Sequence, residues 1–249
     1  MQYFMDTTGT IPAGHGFKHF DGTHLCWLAF FLLSAVALCL LYRQLGETGR
    51  RRFRYVLASL IVANELFKVT CLLIGGRYNA NYLPLHLCSV NIILIAIHTV
   101  RPSKTLDNFL YAIGLPTAIL ALLLPTWTKL PVLNFSHLHS FTVHIELALY
   151  PLILLAGGDI KPRARCIGKC LLLLAALAVP AIVCNAVFGT NFMFLNRHDN
   201  ILPLVVAENL CGEHLVAFPV IAAVLLTLMY LPVELLCAHR ARHIRHTHA

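Results

Sequence analysis

Seven runs of about 20 apolar residues fill this chain, at roughly 24–43, 55–75, 83–100, 106–124, 138–157, 168–188 and 203–235. A helix needs about 20 such residues to cross a hydrocarbon layer ~30 Å thick. Inside that layer each helix must satisfy its own backbone N–H and C=O groups, because no water is there to do so. The expected fold is therefore all-α: a polytopic membrane protein with seven transmembrane helices. Only 12% of the 249 residues are charged and the mean hydropathy is +0.74, whereas soluble domains average about 25% charged. The runs follow one another through short loops and leave no length for a soluble domain. The chain divides into an extracytoplasmic segment 1–23, a membrane domain 24–236 and a basic, His-rich cytoplasmic tail 237–249. No small-residue cleavage site closely follows the first run, so it reads as a span and not a signal peptide.

Lys and Arg collect on the cytoplasmic side of membrane proteins. One set of alternate loops and ends carries fourteen of them, including Arg50, Arg51, Arg52, Arg54, Lys161, Arg163 and Arg165. The opposite set carries four: Lys18, Arg77, Lys129 and Arg197. This asymmetry predicts an N-terminus outside and a C-terminus inside. The net charge of +8 then lies on a rim facing anionic lipid headgroups and requires no nucleic-acid partner. Nine cysteines are scattered without a CxxC pair, so no disulfide framework is implied. No lysine lies between Glu208 and Glu234 in the last run, which argues against a retinal Schiff base.

Titratable side chains are expensive at membrane depth and usually mark a site. Here they gather at the outer ends of several runs: His24 in the first, His86 and Cys88 in the third, His137, His139 and His144 in the fifth, and Glu208, Glu213 and His214 in the seventh. They predict an outward-facing polar pocket among the first, third, fifth and seventh spans. His86 and Cys88 are two residues apart and point to different sides of a helix, unless the chain is unwound near Pro84. His137, Ser140 and His144 share one face of the fifth helix, and His139 and Glu146 form a second stripe.

Two chemistries fit these residue types. Cys88 can act as a nucleophile activated by His86, His137 or His144, because the thiolate is the reactive form. Ser89, Asn91 and Asn191 are then candidates to hold the substrate and its developing oxyanion. Alternatively, His137, His139, Glu213 and His214 can ligate zinc or a similar ion. Glu65 and Lys68 in the second run can pair at i, i+3; with His144 and Glu146 they offer substrate contacts or a proton route, as in a proton-coupled transporter. A sensory role for a metal-binding membrane protein is the remaining class.

Several stretches carry a resemblance. The pattern Leu83-Pro84-Leu85-His86-Leu87-Cys88-Ser89, with Asn185 followed by Gly189-Thr190-Asn191-Phe192-Met193-Phe194-Leu195, resembles the bacterial YwaF-type integral membrane proteins. Phe192 stands where that pattern has Tyr. His24, Glu65 with Lys68, Pro125 and His137 extend the likeness over about 20–235. That group is similar to the TMEM164 family. The resemblance implies a bacterial cell-membrane protein that transfers or hydrolyses acyl chains of phospholipids. It also implies a membrane-embedded cysteine, here Cys88, as nucleophile, with His137 or His144 as its base. The implied partners are phospholipid or fatty-acyl ligands, with no cofactor required.

Overall fold

The computed structural model describes residues 3–199 and 201–247, with side chains through residue 235. Among the described residues it is all-helical. The helices are α1 (Gly22–Gln44), α2 (Glu47–Ile74), α3 (Leu87–Val100), α4 (Lys104–Phe109), α5 (Leu115–Leu123), α6 (Phe135–Gly157), α7 (Ile167–Phe188), α8 (Leu202–Cys211) and α9 (His214–Thr247). Among the described residues six helices are long and apolar enough to cross a membrane: α1, α2, α4 continued into α5, α6, α7 and α9 up to Leu235.

Three expected spans take a different local form. The third, 83–100, is helical only from Leu87; its fourteen residues rise about 21 Å. The fourth keeps its length but contains a π-helical turn, Leu110–Gly114, between α4 and α5. Pro116 explains the slip: it has no N–H to give and its ring crowds the carbonyl four residues back. The seventh is two helices, broken at Gly212, which adopts φ 78°. The backbone of α9 stays helical to Thr247, through most of the expected tail. The His-rich side chains of 237–249 lie outside the described ones.

Caps explain the other boundaries. Asp21 starts α1: its carboxylate accepts from the backbone N–H of Lys18 and of His24, both at 2.9 Å. These donors, Lys18 first, hold the Asp21 carboxyl below its usual range. Asn134 starts α6 by accepting from the Ser136 N–H at 2.9 Å, and its amide donates to the carbonyls of Tyr3 and Asp6 at 2.7 and 2.8 Å. One side chain thus caps a helix and ties down the N-terminal segment. Gly158, at φ 75°, ends α6.

The core centres on α6, which packs against α1, α2, α3 and α5. In its most apolar stretch 61% of residues are buried inside the protein, against 11% for α1 and for α7. The helix is therefore central and its neighbours present apolar surface outward, as lipid-facing helices do. At the basic end the bundle is closed by Asp159. It accepts from Arg50 at 2.9 Å, from Arg54 at 2.7 Å, and from the Tyr42 hydroxyl. A Cβ on Gly157 would lie 2.6 Å from the Tyr42 ring, so only glycine permits this approach. Nearby, His98 bonds Asp107 at 2.8 Å and the Tyr150 hydroxyl at 3.0 Å.

Candidate functional site

Residues Leu83 to His86 are not helical. His86 is the extended N-cap of α3 (φ −68°, ψ 148°) and makes no side-chain cap bond. The first intrahelical bond runs from the Val90 N–H to the His86 carbonyl at 3.0 Å. The N–H groups of Leu87, Cys88 and Ser89 therefore have no intrahelical acceptor. Cys88 sits in this first turn, where the helix end carries partial positive charge.

Cys88 faces His144 of α6, with Sγ 3.1 Å from Nε2. The other ring nitrogen, Nδ1, is 2.6 Å from the carbonyl of Ser140, one turn earlier. A carbonyl can only accept, so Nδ1 carries the proton and Nε2 is left free to accept from the thiol. Nucleophile, base and orienting group thus stand in line, the arrangement that nucleophilic catalysis by a weak acid requires. Trp127, in the loop between α5 and α6, stacks on the His144 ring with centroids 5.2 Å apart and planes 13° apart.

A cavity of about 1330 Å³ opens beside this pair. Near Cys88 its wall is charged: Lys68 Nζ lies 2.5 Å from Glu65 Oε1, and His139 Nε2 lies 3.1 Å from Glu65 Oε2. Farther along, Leu171, Leu174, Ala178, Ala222 and Leu226 make it apolar, as far as Tyr230 and Glu234. On α9 alone the lining runs from Phe218 to Glu234, about 24 Å of helix.

The structure sorts the residues singled out by sequence. His86, Ser89, Glu65, Lys68, His139, His144 and Asn191 line the cavity with Cys88. The His86 ring rests on Phe192 and Phe194, at 5.1 and 5.5 Å. Asn191 also organises the loop after α7: its amide donates to the Arg197 carbonyl at 2.9 Å and to Asp199 at 2.8 Å. His137 does not line the cavity. Its Nδ1 bonds the Leu130 carbonyl at 3.3 Å and its Nε2 accepts from the Trp27 indole at 3.0 Å. With both nitrogens occupied, it packs the α1–α6 contact instead of serving Cys88. Asn91 is buried against Gly114 of the π turn, outside the cavity, and its Oδ1 has no partner. Glu146 accepts from Asn64 at 3.0 Å, again outside the cavity lining.

The expected pocket among the first, third, fifth and seventh spans needs correction. No residue of α1 lines the cavity, whereas α2, α5 and α7 do. His24 of α1 is fully buried, bonded to the Leu122 carbonyl at 2.7 Å. The site also lies down inside the bundle and not at its end. Cys88 meets α6 at His144, nine residues after Phe135, so about 13.5 Å down that helix. Nor do the alternative ligands gather. His139 pairs with Glu65 and His214 with Glu208 at 2.9 Å, and no metal-binding group of three or more His, Cys, Asp or Glu occurs among the described residues. Sequence reasoning missed Trp127, Met193 and Phe194. A loop tryptophan between two spans reads as an interfacial anchor. Met193 and Phe194 enter the wall through left-handed backbone, φ 54° and 58°, which residue type does not announce.

A profile of the TMEM164 family matches residues 19–230. The chain belongs to the TMEM164 family. No curated protein and no solved structure matches it. In this TMEM164 family member the matched region takes in Cys88, His144, Trp127, the Glu65–Lys68–His139 cluster and all the cavity lining except Leu231 and Glu234. Family membership and the six long apolar helices make it an integral membrane protein.

Proposed function

We propose that the protein is a lipid acyl-chemistry enzyme in which Cys88 carries the acyl chain as a thioester. The supporting observation is the Cys88–His144 contact, with the histidine tautomer set by Ser140. The Cys88 proton passes to His144 Nε2 as sulfur attacks the ester carbonyl. The tetrahedral oxyanion is met by N–H groups of the first turn of α3, the kind of preorganised donor that stabilises acyl transfer. Collapse breaks the ester C–O bond, and the leaving alcohol takes the proton from His144. A second hydroxyl, or water, then attacks the thioester and returns the thiol. Lys68, held by Glu65, supplies positive charge beside the reacting centre, which suits a phospholipid headgroup. The apolar length of the cavity takes the acyl chain.

The topology belongs to the same proposal. The chain crosses the bacterial cell membrane seven times, N-terminus outside, with the extended segment 83–86 and α3 together making the third crossing. A reporter fused after Ala249 is expected to be active in the cytoplasm; activity only outside overturns the orientation.

The enzyme is tested with long-chain and short-chain acyl aryl esters, followed by mass spectrometry of the protein. The long-chain ester is expected to acylate Cys88, and Cys88→Ser to abolish the adduct while leaving folding intact. Ala222→Phe fills the channel and is expected to reduce labelling by the long-chain ester at least about tenfold while sparing the short-chain one, because displacing two chain methylenes from the apolar wall loses about 1.6 kcal/mol. Equal labelling of Cys39, which lies on α1 away from the cavity, overturns the reading. The second reading, a proton-coupled carrier, is favoured by the Glu65–Lys68–His139 cluster in a cavity that reaches toward both ends of the bundle. It predicts the opposite pattern: Cys88→Ser tolerated and solute uptake lost with Glu65→Gln.

A further inference from the structure

The proposed acyl transfer leaves one feature of the site without a role. Trp127 comes from a loop, yet its indole is the surface on which His144 rests, nearly parallel at 13° and 5.2 Å. The indole is itself held from behind. Its ring meets Phe141 edge-on at 5.2 Å and 82°, and Phe141, fully buried, stacks flat on Trp27 at 4.9 Å and 3°. An aromatic column therefore runs from α1 to the catalytic histidine. The indole Nε1 is buried and has no hydrogen-bond partner, so no side-chain hydrogen bond accounts for the orientation of the indole. The stacked face does.

We infer that Trp127 is a positioning residue that stabilises the imidazolium formed when His144 takes the Cys88 proton. The inference rests on the acyl-transfer reading only through the Cys88–His144 pair. Before proton transfer the stack is an ordinary aromatic contact. Afterwards His144 is a cation lying against the electron-rich face of an indole, the best of the natural cation–π partners. The contact is thus stronger in the charged state, and it favours the reactive thiolate. It also fixes the ring plane, keeping Nε2 on Cys88 and Nδ1 on the Ser140 carbonyl.

The test uses a small neutral electrophile, iodoacetamide, so that lipid recognition is not involved. The detergent-solubilised full chain is alkylated at fixed near-neutral pH and the modification of Cys88 is followed by mass spectrometry. Trp127→Leu keeps apolar bulk but removes the aromatic face, and is expected to slow Cys88 alkylation about tenfold. Trp127→Phe keeps a weaker face and is expected to restore most of the rate. In a His144→Ala background, Trp127→Leu is expected to change the rate less than about twofold, because no imidazolium remains to stabilise. Equal rates for the Phe and Leu variants, or a Trp127→Leu loss that persists without His144, overturn the inference and leave Trp127 as packing. The acyl-transfer reading fails separately: Cys88 then responds to iodoacetamide in this graded way but takes no acyl group from lipid-like esters.

Discussion

His144→Ala is expected to slow acylation of Cys88 by about 100- to 10,000-fold, the usual worth of a positioned general base. The contact that predicts this is made by one of the three histidines of α6. His144 Nε2 is 3.1 Å from the sulfur, and its Nδ1 is committed to the Ser140 carbonyl. His137, seven residues earlier on the same face, is committed to Leu130 and Trp27. His137→Phe is therefore expected to alter acylation less than about threefold, although it loosens the packing of α1 on α6. His139 is bonded to Glu65 and its loss is expected to act on headgroup binding, raising KM more than it lowers kcat. The measurement is single-turnover acylation by a long-chain ester, read as adduct per protein over time. A His144→Ala enzyme that acylates within threefold of the parent removes His144 as the base.

The second large effect concerns stability. Glu65→Ala is expected to destabilise the protein by about 3 kcal/mol, because breaking a buried ion pair leaves its partner uncompensated. Glu65 accepts from both Lys68 and His139, and the three side chains are 16%, 13% and 8% exposed. Without the carboxylate, the Lys68 ammonium keeps its charge at membrane depth with no anion beside it, where a lone cation costs about 2.5–3.5 kcal/mol on insertion scales. The double variant Glu65→Ala with Lys68→Met removes the orphan and is expected to recover most of the loss. Thermal unfolding in detergent, followed by size-exclusion chromatography, measures both. An unchanged melting curve for Glu65→Ala, accompanied by lost acylation, assigns the pair to substrate binding alone.

The Glu65–Lys68 pair was legible because i, i+3 spacing brings side chains together on any helix. The Cys88–His144 pair was legible only as a choice among three histidines, because it depends on how two helices dock. The unwinding at Pro84 was foreseen as a condition for bringing His86 and Cys88 together. What the break does is different: it starts α3 deep in the bundle, placing Cys88 in a first turn with free N–H groups. The role of Pro116 was hidden for a related reason. A proline inside a span marks a disturbance of the ladder, but whether the result is a kink, a start or a π turn depends on which neighbour fills the gap. Here the side chain of Asn91 on α3 packs against Gly114 of the turn.

Sequence by itself determined that this chain is a bundle of membrane helices and that its polar residues are too costly to be idle. Both follow from the one-dimensional cost of placing polar groups in hydrocarbon. It did not determine which residues meet. In a soluble helix the apolar stripe shows which face is buried, but in a membrane the lipid is as apolar as the protein interior. The rotation of each helix is then nearly silent in its hydropathy. His137 and His144 share a face and differ by about 10.5 Å in height. Only the docking of α3 against α6 places Cys88 level with the second, and only the loop fold of Trp127 closes over it.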